Sequence, residues 1–361
     1  MNTPGVYYSQ RDLSQVVQGL DSTILGIAGN AKWGPTDKLV QITGLGRYTQ
    51  LFGKPINPTV SPVFYQLYQF FKLASVAYYV RPQGDSLYGG IEALKDAEPI
   101  AVAAGLEALP LTPSGSNVVG IYTKYAGVHE EGGIFINITE VDATAGTFNL
   151  AVGFLSDGAI DTSNPWYEEH SVSVIRGAKD DSGRSLYITD VLERDSQLIA
   201  GAAKTDALID DLPSVTASPV EITKNAYVAA SEADVMAAYE LFRPLSAVTI
   251  DFIIPSVFTA EVINKTADIA ISRGDCFYIA TPAVEFEGWT AVDAESQLVG
   301  PAGWLSTITR SWAGAAYAMY YKMKDEYNDT TVDVPAAGLI AGAYAYSDAQ
   351  SAQWFAPAGP K

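Results

Sequence analysis

The chain has 361 residues, 48% apolar and only 17% charged, a composition that argues against disorder and supplies core for two compact lobes. Acidic residues outnumber basic ones 41 to 22, a formal charge of −19, which repels nucleic-acid phosphates and anionic lipid and excludes both as natural partners. One cysteine permits no internal disulfide and fits a reducing compartment.

Residues 1–20 carry Pro4, Gly5 and scattered apolar positions, and read as an extended arm rather than a packed element. The β-branched run at 23–29 predicts a buried strand, 30–37 a turn around Trp33-Gly34-Pro35, and 39–43 a second strand. A short helix follows at 46–51 and stops at Gly53. Ser61 is expected to cap a helix with Pro62 in its first turn, since Val63, Phe64, Leu67, Phe70, Phe71 and Ala74 recur at helical spacing. Residues 77–80 return as a strand, and Pro82 forces Arg81 out of the helical region.

Residues 83–120 are rich in Gly, Ala, Pro and Ser and show no long periodic element; 121–178 alternate like β structure. A short strand and helix are expected over 184–199, then a loop-rich spacer over 201–221. From Ser231 the αβ rhythm resumes. Ser231-Glu232-Ala233-Asp234 forms a capping box, with Val235, Ala238, Tyr239 and Phe242 on one helical face. A strand over 247–254, a helix over 259–273 stopped by Gly274, and a strand over 275–282 follow. Apolar strands joined through helices indicate a parallel, helix-covered sheet. The fold class is an α/β core, a helix-covered mixed sheet, interrupted by a β-rich insertion. The expected divisions are the arm 1–20, core 21–88, inserted outward-facing region 89–224 and core again 225–361.

No catalytic, cofactor-binding or metal-ligating residues stand out. His129 and His170 are the only histidines. His129-Glu130-Glu131 lacks the second histidine of a zinc helix, and both rings are expected in solvated turns. Cys276 lies in an apolar run without a neighbouring cation, a setting that raises its pKa and points to packing. The Gly29–Pro35 turn places Trp33 and Pro35 where a phosphate cradle needs backbone N–H groups. No Gly-x-Ser-x-Gly elbow occurs, and Asp325-Glu326 reads as a solvated face. The start of the chain lacks a basic patch followed by an apolar run, and no stretch approaches about 18 apolar residues, so neither a signal peptide nor a membrane span is expected. The expectation is a soluble protein kept in the cytoplasm unless exported within an assembly.

Read in order, several segments resemble contractile phage tail sheath proteins, a family related to contractile injection and type VI secretion sheaths. They are Pro4-Gly5-Val6-Tyr7; Gly26-Ile27-Ala28-Gly29 with Lys32-Trp33-Gly34-Pro35; Tyr48-Thr49-Gln50-Leu51-Phe52-Gly53; and Tyr78-Tyr79-Val80-Arg81. Tyr122-Thr123-Lys124-Tyr125-Ala126-Gly127 is similar to the family's Tyr-Pro-Gly segment with alanine for proline, and Arg273-Gly274-Asp275-Cys276 to its entry into a core strand. The most specific likeness is Val334-Pro335-Ala336-Ala337-Gly338-Leu339-Ile340-Ala341-Gly342, continued by Trp354-Phe355-Ala356-Pro357-Ala358-Gly359. The resemblance implies a non-enzymatic structural subunit that needs no cofactor. It implies stacked hexameric rings around a tail tube protein, capped by baseplate and terminator proteins and located in the virion tail after assembly in the bacterial cytoplasm. Pro4, Gly5, Val6, Tyr7, Tyr8, Val16 and Val17 would then form an intersubunit arm that adds strands to a neighbour. Sheath proteins usually continue into a further carboxyl-terminal domain, so this chain is expected to be a shortened form, monomeric by itself. They also insert a larger outer domain where 81–121 leaves room for a small decoration. Two other readings stay open: a carbohydrate-binding or carbohydrate-active protein, favoured by aromatic rings in a cleft, and an αβ enzyme with an unrecognised pocket.

Overall fold

The structure, a computed structural model, describes residues 23–58, 60–283 and 290–350. The first part of the chain runs β1 (Ile24–Ala28), β2 (Val40–Ile42), α1 (Leu45–Phe52), α2 (Pro62–Phe70) and β3 (Val76–Val80). The β-rich middle holds β4 (Gly90–Ala93), β5 (Ile100–Ala101), β6 (Val119–Thr123), β7 (Phe135–Asp142), β8 (Thr147–Gly153), β9 (Leu155–Ser156), β10 (Ala159–Ile160), β11 (Glu168–Ser173), α3 (Ile188–Asp195), β12 (Ile199–Ala203) and β13 (Val220–Glu221). The last part is α4 (Glu232–Tyr239), β14 (Phe252–Ile253), α5 (Ala260–Arg273), β15 (Phe277–Ala280), α6 (Ala291–Ala294), α7 (Trp304–Thr307), β16 (Gly314–Ala316), β17 (Tyr320–Asp325), β18 (Thr330–Pro335) and α8 (Ala337–Gln350).

The first and last parts share one sheet in the order β16-β15-β14-β1-β3-β2. All its pairings are parallel except the antiparallel edge strand β2. The period-two pleat divides its side chains between two buried layers. Leu25, Ile27, Ala77 and Tyr79 face α1, α2 and α8, while Val80, Ile253 and Ala280 face α4 and α5. Burial on both faces explains the uniformly apolar strands. Between these parts stand two antiparallel four-stranded sheets, β11-β8-β7-β13 and β12-β6-β4-β5. A separate core binds them, built from residues such as Ile121, Ile136, Phe148, Leu150, Val172 and Leu192.

Local signals hold where chemistry is short-range. The Ser231 hydroxyl accepts from the N–H of Asp234 while the Asp234 carboxylate accepts from Ser231, the expected capping box. Gly274 takes the left-handed conformation that ends α5, with φ of 74°. Two expectations are corrected. Ser61 sits at the start of α2 but makes no side-chain cap; its hydroxyl accepts from the N–H of Ile56 instead. The strand expected over 247–254 shrinks to Phe252–Ile253: Arg273 takes the Val248 carbonyl, while Asp251 still bonds through its backbone to Ile24 and Phe277 on the neighbouring strands. Within 83–120, β4 is buried at every position; four residues are too few to display a period. Among the described residues no helix is long and apolar enough to cross a membrane.

Candidate functional site

The expected arm residues Pro4, Gly5, Val6, Tyr7, Tyr8, Val16 and Val17 lie outside the described residues, as does the Trp354–Gly359 part of the last motif. What the structure does describe is the carboxyl edge of the parallel sheet. There the chain order reverses between β1 and β14, the place where open α/β sheets receive ligands. In this protein its own side chains fill the crevice. A Cβ added at Gly29 would stand 2.4 Å from Ser256 Oγ and 2.8 Å from Val63. The Ser256 hydroxyl donates to the Ala28 carbonyl, and its N–H donates to the Tyr239 hydroxyl at 3.1 Å. Tyr239 in turn donates to the Ile254 carbonyl at 2.7 Å, and Tyr79 to the Gly29 carbonyl at 2.8 Å. Asn30 clasps both the N–H and the carbonyl of Ala230.

Beside this sealed edge the β-rich part is joined to the sheet. Arg81, at the end of β3, is 1% exposed. It donates to the carbonyls of Ala31 at 2.7 Å, Gly34 at 2.7 Å and Lys32 at 3.4 Å, all in the turn after β1, and to Ala126 at 2.8 Å in the β-rich part. Burial pulls its guanidinium below its ordinary pKa, and the surrounding tyrosines oppose that shift. Gly127, the next residue, has φ of 119°, and a Cβ there would lie 2.1 Å from the Lys32 carbonyl. Glycine is therefore required at that position. Val128 then donates its N–H to Lys32 at 3.0 Å. Trp33, from the core turn, is inserted into the β-rich core against Tyr125 and His129. One arginine and one tryptophan thus lock the two parts together.

Both histidines differ from expectation. His129 is 3% exposed, with ring centroids 5.4 Å from Trp33, 4.9 Å from Phe154 and 4.8 Å from Trp166. Burial lowers its pKa to about 4, with Lys54 nearby adding to the shift. His170 is 7% exposed and pairs with Glu168 at 3.1 Å. Its half-buried neighbour Glu168 also accepts from Ser196 and from the N–H of Gln197, while Glu169, Glu130 and Glu131 stay exposed. Of the expected solvated pair, Glu326 is exposed but Asp325 is buried at 2% exposure. It accepts from Tyr65 at 2.6 Å and Asn328 at 2.7 Å; burial pushes its pKa up, but these bonds outweigh burial and hold it below its ordinary value. Cys276 is 7% exposed, and burial pushes its thiol up to about 11. Contrary to expectation a cation does stand beside it: Arg273, buried and paired twice with Asp275 at 2.8 Å. Among the described residues no group of three or more His, Cys, Asp or Glu is placed to hold a metal ion.

The motif at 334–342 acquires a physical meaning. Gln66 of α2 accepts from the N–H of Gly338 at 2.7 Å and donates to the Pro335 carbonyl at 2.9 Å; Gln69 accepts from Leu339 at 3.2 Å. Two buried amides therefore cap α8, supplying partners for its first N–H groups. Sequence reading missed them, because glutamines on an otherwise apolar helix carry no signal until a helix end meets them.

The fold and this arrangement define an α/β body with a sealed crevice and two rigidly joined parts. No protein-family model matches the chain, and no curated protein matches it in sequence. Among solved structures it is similar to the sheath tail protein of Desulfitobacterium hafniense, with 15% identity and a TM-score of 0.48 over 95% of this chain and 62% of that one. It is also similar to the sheath tail protein Lin1278 of Listeria innocua, with 13% identity and a TM-score of 0.47 over 92% and 57%. The helical sheath of the anti-feeding prophage in its contracted state gives 12% identity and 0.36 over 100% and 56%. The chain spans about three fifths of the length of the sheath proteins it matches.

Proposed function

We propose that this chain is the body of a contractile tail sheath subunit, a building block and not an enzyme. The observation that carries the reading is that several of the resembling segments within the described residues, scattered along the sequence, each have a mechanical place in the fold. Gly26 to Gly29 leads into the sealed crevice, and Trp33, Arg81 and Gly127 lock the two parts. Residues 334–342 seat α8 on α2 through the contacts of Gln66 and Gly338. A subunit that turns as a rigid unit during contraction needs such joints and needs no nucleotide pocket. In this reading, residues 89–224 face outward from the divided core 21–88 and 225–361. The arm around Tyr7, Tyr8, Val16 and Val17 pairs with a neighbour's sheet, and hexameric rings stack on a tail tube between baseplate and terminator. The subunit assembles in the bacterial cytoplasm and resides in the virion tail, where contraction drives the tube through the host envelope. By itself the chain stays monomeric.

Electron microscopy of the full reading frame containing these residues, expressed with a tail tube protein, tests the proposal. Striated tubes or stacked rings are expected. Single subunits at every concentration in the presence of tube overturn it.

A further inference from the structure

A cleft of about 500 Å³ opens beside the locked joint, between α1 and the loops of the β-rich part. This lies within the roughly 300–1,000 Å³ of ordinary small-ligand sites. One wall is Trp166. Its backbone N–H donates to the Asn164 side chain at 2.9 Å, and its ring stands edge to face with the buried His129 at 4.8 Å. Packing on His129 therefore orients the indole before any ligand arrives. Around it stand the side-chain amides of Gln50, Asn164 and Gln197. Among the described residues, these three side chains bond only through their oxygens: Arg47 donates to Gln50 Oε1, and the Trp166 backbone N–H to Asn164 Oδ1. Their NH₂ groups thus have no partner among the described residues. The third side is charged: Lys54 lies 3.7 Å from Glu130 and 3.5 Å from Glu131.

We propose that this cleft binds a neutral oligosaccharide. The chemistry narrows the choice by elimination. Two carboxylates against one lysine repel phosphates, sulfates and uronic acids. Trp166 and Pro165 are the only markedly apolar side chains in the lining, too few to bury a lipid chain or a hydrophobic peptide. A pyranose has what the cleft complements: an apolar C–H face for the indole, and a rim of hydroxyls that donate to Glu131 and accept from the amides. The volume holds roughly two or three sugar rings. Nothing in this site depends on assembly, so a single subunit binds.

Saturation-transfer NMR on the whole chain, with the β-1,4-linked tetramers of glucose and of N-acetylglucosamine as probes, tests the proposal. Saturation is expected to reach the sugar C–H protons of at least one tetramer and to vanish with Trp166→Ala. Because Trp166 packs on His129, its loss can disturb the fold, so a second variant is needed. Gln50 and Gln197 are exposed, and the Gln50→Ala/Gln197→Ala double variant is expected to keep the wild-type melting temperature while weakening the same titration roughly tenfold. No transfer to either tetramer, or transfer that the folded double variant leaves unchanged, overturns the assignment.

Discussion

Replacing Arg81 by methionine is the most direct challenge to the idea that one buried guanidinium holds the two parts together. Methionine keeps most of the side chain's volume and length but donates nothing. Three short bonds, to Ala31, Gly34 and Ala126, are lost together. Each left a buried carbonyl bound to a charged donor, an interaction worth about 1.5–3 kcal/mol. Part of that loss is returned, because methionine carries no charge to desolvate. The net expectation is a loss of about 3–5 kcal/mol, a large fraction of the roughly 5–15 kcal/mol that holds a typical domain. Urea denaturation followed by circular dichroism measures the total. Hydrogen exchange locates it: the N–H groups of Gly127 and Val128, which bond to Leu87 and Lys32, are expected to lose more protection than the strands β1 and β3. A loss below about 1 kcal/mol, or protection that falls evenly through the molecule, would refute the reasoning.

Three further outcomes are expected. His129 titrates near 6.5 unfolded and about 4 folded, so its neutral form stabilises the fold fully above pH 6.5. That contribution is lost as pH falls towards 4; about 2.5 pH units at about 1.4 kcal/mol each give roughly 3 kcal/mol. His129→Phe should flatten this limb of a stability-versus-pH curve measured by urea denaturation. Gly338→Ala places a methyl 2.1 Å from the Gln66 carbonyl, whereas at Gly342 the nearest atom is 3.2 Å away. The first should cost about 1–3 kcal/mol and the second less, read as melting temperatures; equal effects would remove close helix contact as the reason for those glycines. Glu92, 6% exposed, accepts from the Ser114 N–H, Asn117 and Tyr122 at 2.6–3.1 Å. Glu92→Leu strands these donors, and a loss of about 2–4 kcal/mol on denaturation is expected.

The sequence disclosed the elements whose signals are local or repeated. The Ser231 box, the Gly274 stop and the apolar strands of the parallel sheet were all legible, because cap chemistry and two-sided burial write themselves into neighbouring residues. It disclosed less where long-range partners decide. Arg81 reads as the charged end of a strand, yet its partners lie about 45–50 residues away in sequence. Gln66 and Gln69 look like polar interruptions of an apolar helix, and their partner helix begins some 270 residues later. His129 and Asp325 sit in acidic, turn-like stretches, and only the folded chain shows aromatic rings closing over one and a tyrosine hydroxyl over the other.

These cases share a direction. Arg81, Gln66, His129 and Asp325 are all turned inward by the fold, where they bond to backbone or side chains distant in sequence or stack on aromatic rings. Such groups contribute little net stability per bond, but each has one geometry in which it is satisfied. A body joined by Arg81, Gln66, Asp325 and Ser256 is therefore held to one arrangement of its parts more firmly than apolar packing alone would hold it. An enzyme that closes on a substrate needs some of these joints to give. A subunit that passes motion from one neighbour to the next needs them fixed. The sealed crevice and the locked joint are what the proposed sheath role asks of such a subunit.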